Sequence, residues 1–216
     1  PDNCKRTDFC TLLNTGGGGS SAEDFLGMTA ATQAGAPFAI LFHIPKQPLY
    51  GGKVEDELIV HTWMKYMETG DESWPLHFPM AKAVIKAMDV LQAFTKDAGK
   101  PRLERFLITG ASKRGWTTWL VGASKDKRVA GIAPMVIDIL NVAKQIPRQL
   151  ESFGKPSEQV GDYTAMGFDK ILATPQGRRL LELEDPWSYR NILTMPKLII
   201  LGTNDRYWSQ DALNIY

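Results

Sequence analysis

Apolar and polar positions divide the chain into short strands and longer helices. Phe9 to Asn14 (FCTLLN) reads as a strand, closed by the glycines 16–19 and by Ser20 and Ser21. Ser21 is placed to cap a helix over Ala22 to Ala34, with Asp24 favourable near its N-terminus and Gly35 as its stop. Phe38 to Ile44 is a near-continuous apolar stretch after Pro37, the pattern of a strand covered on both faces. Beyond the turn-rich Pro45 to Gly52, Lys53 to Met67 predicts a helix ended by Gly70. After Pro79, Met80, Val84, Met88, Leu91 and Phe94 recur at spacings of three and four and predict one buried helical stripe, which Gly99 and Pro101 end.

Arg105 to Thr109 predicts a strand that stops at Gly110, and Trp116, Trp119, Leu120 and Ala123 mark the face of the next helix. Val129 to Ile132 predicts another strand, and Pro134, which lacks a backbone donor, argues against undisturbed ladder pairing beyond it. From Asp138 to Asn191 the periodicity weakens, which predicts an insertion of helices and loops over one end of the sheet. The strand pattern returns at Lys197 to Leu201, followed by a loop over Gly202 to Gln210 and a helix start at Asp211. Strands alternating with helices predict an α/β fold, a mainly parallel sheet with helices on both faces.

Composition narrows the function classes. The 216 residues are 44% apolar, which suits one globular domain, and 25 Lys and Arg face 24 Asp and Glu for a net charge of +1. Nucleic-acid binders carry a clustered basic excess, so no nucleic-acid partner is expected. No apolar stretch approaches the roughly 18–20 residues of a membrane span. The three histidines and two cysteines lack zinc-site spacing, so no metal or other cofactor is expected. Cys4 and Cys10 read as two separate thiols, because Cys10 sits in an apolar stretch. The chain opens at Pro1 without a charged-then-apolar leader, so any targeting signal lies outside it or has been removed.

The segment RFLITGASKRGWTTW, Arg105 to Trp119, carries the chemistry. A strand, a glycine-flanked turn and a helix put Ser112 at the apex, beyond the C-terminal edge of the sheet, where open α/β sheets bind ligands. The spacing is G-x-S-x-x-G, one residue longer than the nucleophile elbow of α/β hydrolases. As a nucleophile, Ser112 would attack an acyl carbon while the Lys113 backbone N–H donates to the oxyanion. The second donor would come from Gly17 or Gly18, where close backbone approach needs glycine. The competing reading, that Ser112 only caps a helix, fits the motif equally well. The glycines themselves fit either a functional loop or a solvated linker, but not a nucleotide site, since no Lys-Ser/Thr follows them.

Asp205 follows the strand at 197–201 and is the first candidate for a triad acid, with an Asx-turn as its alternative role. Asp138 is a second candidate acid, ranked lower because it could cap a helix beginning near Ile139. His43, His61 and His77 all precede Ser112, so the order Ser, acid, His is not completed within the chain. His43 ends a predicted strand at the right edge; His61 and His77 read as structural or solvated. Lys113 and Arg114 read as a solvated helix start or as cations for an acidic substrate group or the oxyanion.

FHIPKQPL (42–49), ETGDESWPLHFPM (68–80), TGASKRGWTTW (109–119), PMVIDILN (134–141), GDY (161–163) and DPWSYRNILTMPKLIILGTNDRYW (185–208) resemble the PhoPQ-activated pathogenicity-related protein family. The family is an α/β-hydrolase group that also includes a secreted proliferation repressor. The resemblance implies one partial α/β-hydrolase domain over 1–216, lacking the first strands and the His-bearing C-terminal strand, with the insertion at about 138–191. It implies Ser112 as nucleophile, Asp205 as acid, an ester or amide substrate, and a secreted or periplasmic location. The alternative it carries is a non-catalytic signalling protein that meets a cell-surface receptor.

Overall fold

The computed structural model describes residues 4–216, the side chain of Asp169 aside. Four strands, β1 (Phe9–Asn14), β2 (Phe38–Leu41), β3 (Arg105–Ala111) and β4 (Val129–Met135), form one sheet in the order β2-β1-β3-β4. All three pairings are parallel, with Leu12 opposite Ile108 and Ile108 opposite Ile132. Parallel neighbours need crossovers. These are α1 (Ser21–Ala34), the pair α2 (Glu55–Thr69) and α3 (His77–Asp97), and α4 (Lys113–Ala123). A sheet covered in this way buries Cys10, Leu12, Phe106, Ile108 and Ile132 almost completely. Burial also pushes the Cys10 thiol up to about 12, and Cys4 and Cys10 are both free.

Several boundaries move for local reasons. Ser20, not Ser21, caps α1, its side chain accepting from the Glu23 N–H. β2 ends at Leu41 because the chain then crosses the loop after β1: His43 N–H donates to Gly17 and Ile44 N–H to Thr15. α3 starts ahead of Pro79, which is tolerated in a first turn whose N–H groups have no intrahelical partner. Met80, Val84 and Met88 form its buried stripe, but Phe94 is 66% exposed. The end of α3 is tied down instead by Gln92, whose amide donates to the Leu103 carbonyl.

Pro134 does not end β4, which continues to Met135 with Pro134 opposite Gly110. The missing donor falls on the other side. Ile132 and Val136 donate to Pro196 and Ile200, and Ile200 donates back to the Pro134 carbonyl. Segment 197–201 therefore joins the sheet through parallel bridges at Lys197 and Ile200 rather than as a continuous strand. The insertion is helical: α5 (Val142–Phe153), α6 (Gly161–Ala165), α7 (Phe168–Leu172) and α8 (Pro175–Glu184). The helix expected at Asp211 is a 3-10 helix over Gln210–Ile215.

Candidate active site

The link from β3 to α4 is a single strained residue. Ser112 has φ 54° and ψ −124°, outside the regions open to side chains with a Cβ. Its N–H donates to the Met135 carbonyl at 2.9 Å and its carbonyl accepts from Trp116 at 3.0 Å, so both ends of the turn are locked. The Ser112 side chain makes no capping hydrogen bond. That removes the helix-cap reading and leaves the hydroxyl uncommitted at the mouth of a cavity.

The flanking glycines are sterically required. A Cβ on Gly110 would lie 2.5 Å from Asn14 Nδ2 and 2.6 Å from the Arg114 carbonyl. One on Gly115 would lie 2.5 Å from Ile137 Cγ2 and 2.8 Å from the Met135 carbonyl. The longer G-x-S-x-x-G spacing thus keeps the close helix-to-strand approach that an elbow needs. Asn14, fully buried at the end of β1, ties the turn to the sheet: its amide donates to the Thr109 carbonyl (2.8 Å), the Thr118 hydroxyl (3.1 Å) and the Arg114 carbonyl (3.3 Å).

Lys113 opens α4, where the first backbone N–H groups have no intrahelical acceptor and the helix dipole favours negative charge. The side chains of Lys113 and Arg114 are neither solvated nor free for substrate. Arg114 is buried; its Nε donates to the Ile44 carbonyl at 2.7 Å and its fork grips Glu55 at 2.7 and 3.0 Å. Lys113 Nζ lies 3.0 Å from Glu55 and 3.2 Å from Asp56. Burial alone would raise the Glu55 carboxyl, but hydrogen bonds from Arg114, Gln47 and Lys113 outweigh it and hold the group at about 2.

The glycine loop is docked rather than a free linker. A Cβ on Gly16 would collide with the Arg114 guanidinium, and one on Gly18 would lie 2.9 Å from the His43 ring. Gly16 thus packs on Arg114 and Gly18 on His43, while Gly17 faces the Glu23 carboxylate. His43 is exposed, with φ 57°, and covers the loop without joining the cavity wall.

Asp205 adopts the Asx-turn: its Oδ1 accepts from the N–H groups of Tyr207 (2.6 Å) and Trp208 (3.3 Å). Both of those residues line the cavity with Ser112. Asp138 is buried and accepts from the Tyr216 hydroxyl at 2.5 Å, while its Oδ2 has no partner among the described residues. Burial raises its carboxyl above the ordinary range, Tyr216 opposes this, and the charge of nearby Asp205 adds to it. Asp138 does not cap the following helix; Asp185 does, accepting from the N–H groups of Asn141 and Val142.

The cavity at Ser112 measures about 370 Å³, within the range of about 300–1,000 Å³ typical of small-molecule sites. The insertion supplies much of its wall, including Val142, Ile146, Tyr163, Phe168 and Leu181. Beneath it lies a pair that the sequence did not announce. His77 Nδ1 meets Glu184 at 2.5 Å with both side chains almost fully buried, and the His77 ring stacks on Trp116 at 4.4 Å. Asn14, Glu55, Asp56 and this pair escape a motif reading, because each is defined by a partner between 57 and 107 positions away. His61 packs on Tyr50, away from the cavity. Among the described residues no group of three or more His, Cys, Asp or Glu could hold a metal ion, and no helix is long and apolar enough to cross a membrane.

A model of the PhoPQ-activated pathogenicity-related protein family matches residues 14–216. The chain belongs to this family. It is 39% identical over 178 residues to autocrine proliferation repressor protein A of Dictyostelium discoideum, an alignment that takes in 80% of the chain. The chain spans 36% of that relative's length. Among solved structures, an acetyl xylan esterase from Paenibacillus sp. R4 superposes with a TM-score of 0.56 at 11% identity, over 96% of this chain and 71% of that one. The family member described here thus has an α/β-hydrolase-like fold.

Proposed function

We propose that this chain carries the nucleophile and acid of a serine hydrolase acting on esters or amides. The observation behind the reading is Ser112, held at φ 54° with an uncommitted hydroxyl at the mouth of a cavity. Backbone strain of this kind persists where the surroundings over-determine it, and it clusters at active sites. In the reaction, Ser112 Oγ bonds to the acyl carbon and the Lys113 N–H donates to the oxyanion, with the second donor from Gly17 or Gly18. A histidine takes the serine proton and delivers it to the leaving group as the carbon–heteroatom bond breaks; water then releases the acid and restores the hydroxyl. Asp205, anchored by two backbone N–H groups, orients that histidine, with Asp138 as the alternative acid. None of His43, His61 and His77 lines the cavity, so none of the three is assigned as the base. The esterase likeness supports the fold that this chemistry uses.

A fluorophosphonate probe on the full-length protein tests the reading. Labelling of wild type that disappears in Ser112→Ala is expected; equal labelling of both overturns it. The relative's name favours a second reading, a secreted or periplasmic signalling protein that binds a cell-surface receptor through a hydrolase fold. Ser112→Ala that folds and binds cells normally yet loses the effect on proliferation would defeat that alternative.

A further inference from the structure

The wall of the cavity beside Ser112 has a definite chemical character. Its sides are Trp63, Trp116, Phe168, Ile137, Val142 and Leu181. The aromatic part is rigidly set: Trp63 stacks on Phe168 at 5.6 Å and 22° and meets Trp116 edge-on at 5.8 Å. Lys113, Asp56 and Gln149, which reach the wall, are already matched to protein partners, and no cation is left over there. Lys113 holds Glu55 and Asp56, and Asp56 also accepts from the Tyr163 hydroxyl at 2.9 Å. Gln149 donates to the Tyr207 carbonyl at 2.6 Å and accepts from Ser157 at 3.3 Å; Glu184 holds His77 through Oε2, while its buried Oε1 has no partner among the described residues. The two cations of the elbow face the two carboxylates at the start of α2, so their charges balance.

A group entering this cavity therefore meets mostly hydrocarbon and aromatic faces and no spare cation. An anionic substituent would lose its water without gaining a partner, a cost of several kcal/mol in general terms that an apolar group does not bear. The space of about 370 Å³ equals roughly a dozen water volumes at about 30 Å³ each. An acetyl group would leave most of it unfilled; a chain of about eight carbons or a substituted aromatic ring would take up well over half of it.

We propose that this cavity is an acyl pocket and that the substrates are esters of bulky, apolar carboxylic acids, aromatic or medium-chain, rather than acetyl esters or esters with an anionic acyl chain. The proposal rests on the hydrolase reading above. In the step, a bond forms between Ser112 Oγ and the acyl carbon seated in the cavity, and the ester C–O bond breaks. The serine proton leaves with the alcohol, and water later frees the acid.

The test uses the full-length protein with p-nitrophenyl acetate, butyrate, octanoate, 4-phenylbutyrate and monosuccinate, reading kcat/KM. While a chain is still entering the cavity, each methylene is worth up to about fourfold, so octanoate is expected to exceed acetate by at least about 30-fold. Phenylbutyrate should behave like octanoate, and monosuccinate should fall below butyrate. Leu181→Trp and Ile146→Trp, each checked for native circular dichroism, should lower the octanoate-to-acetate ratio by about tenfold. Fluorophosphonate labelling runs in parallel. Labelling at Ser112 with acetate preferred, or with no chain-length dependence, overturns the acyl proposal and leaves the hydrolase standing. Neither labelling nor turnover overturns the hydrolase reading, and this proposal with it.

Discussion

Replacing Ser112 by glycine should stabilise the fold relative to replacing it by alanine. At φ 54° and ψ −124°, any residue with a Cβ bears strain of order 1–3 kcal/mol. Ser112→Ala removes the hydroxyl but keeps the Cβ, and the hydroxyl makes no capping bond, so alanine retains the strain. Ser112→Gly relieves it. Against this, glycine widens the unfolded ensemble, which costs about 0.4–1 kcal/mol. The difference leaves glycine ahead of alanine by about 1 kcal/mol, or about 2–4 °C in Tm for a domain of this size. Paired thermal melts and urea titrations with equal m-values measure it. A glycine variant at or below the alanine variant in Tm would refute the claim that the turn stores strain.

Four further outcomes follow from the packing and charges. Gly115→Ala, whose new Cβ meets Met135 and Gly110 carbonyls at 2.8 and 3.0 Å, should cost about 2–3 kcal/mol by overpacking; Gly161→Ala, with nothing within 4 Å, is the matched control and should be near neutral in Tm. Glu55, held at about 2 when folded against an ordinary 4.5, contributes stability that is full above about pH 4.5 and is lost as pH falls from there toward 2; urea melts across that window should show a smaller pH dependence in Glu55→Gln than in wild type. His77→Leu strands the Glu184 carboxylate in the interior and should cost about 3–5 kcal/mol, whereas the double variant His77→Leu, Glu184→Met should recover much of that loss in the same denaturation assay. In native protein, iodoacetamide should modify Cys4 long before Cys10, whose thiol is buried and pushed up to about 12; mass spectrometry of the digested protein reads the order.

The parallel sheet was legible because apolar stretches at 9–14, 38–44 and 105–109 alternate with helical patterns, and that alternation is a local property of the chain. Ser112 was legible for a similar reason: glycine on both sides of a serine at a strand end is a local signature. What supports a role beyond helix capping was not. The glycine clashes and the absent capping bond exist only once β4, Asn14 and Ile137 surround the turn. Arg114 shows the limit most plainly, since its position near a helix start suggests solvent, yet its partners Ile44 and Glu55 lie 70 and 59 positions earlier. Pro134 was read correctly as a defect in pairing, but which neighbour feels the missing donor depends on the pleat, and that appears only in three dimensions.

That one-sided defect divides the site mechanically. Ser112, the proposed nucleophile, directly follows β3, which is paired on both sides and pinned by Asn14, while Asp205 hangs from segment 197–201, which meets β4 only at two bridges. Amides of Leu198 and Ile200 should exchange with deuterium well before those of Ile108. Under the proposed hydrolase reading, the serine stands ready at all times, and the share of competent molecules is set by how often the edge that carries Asp205 is zipped against its neighbour.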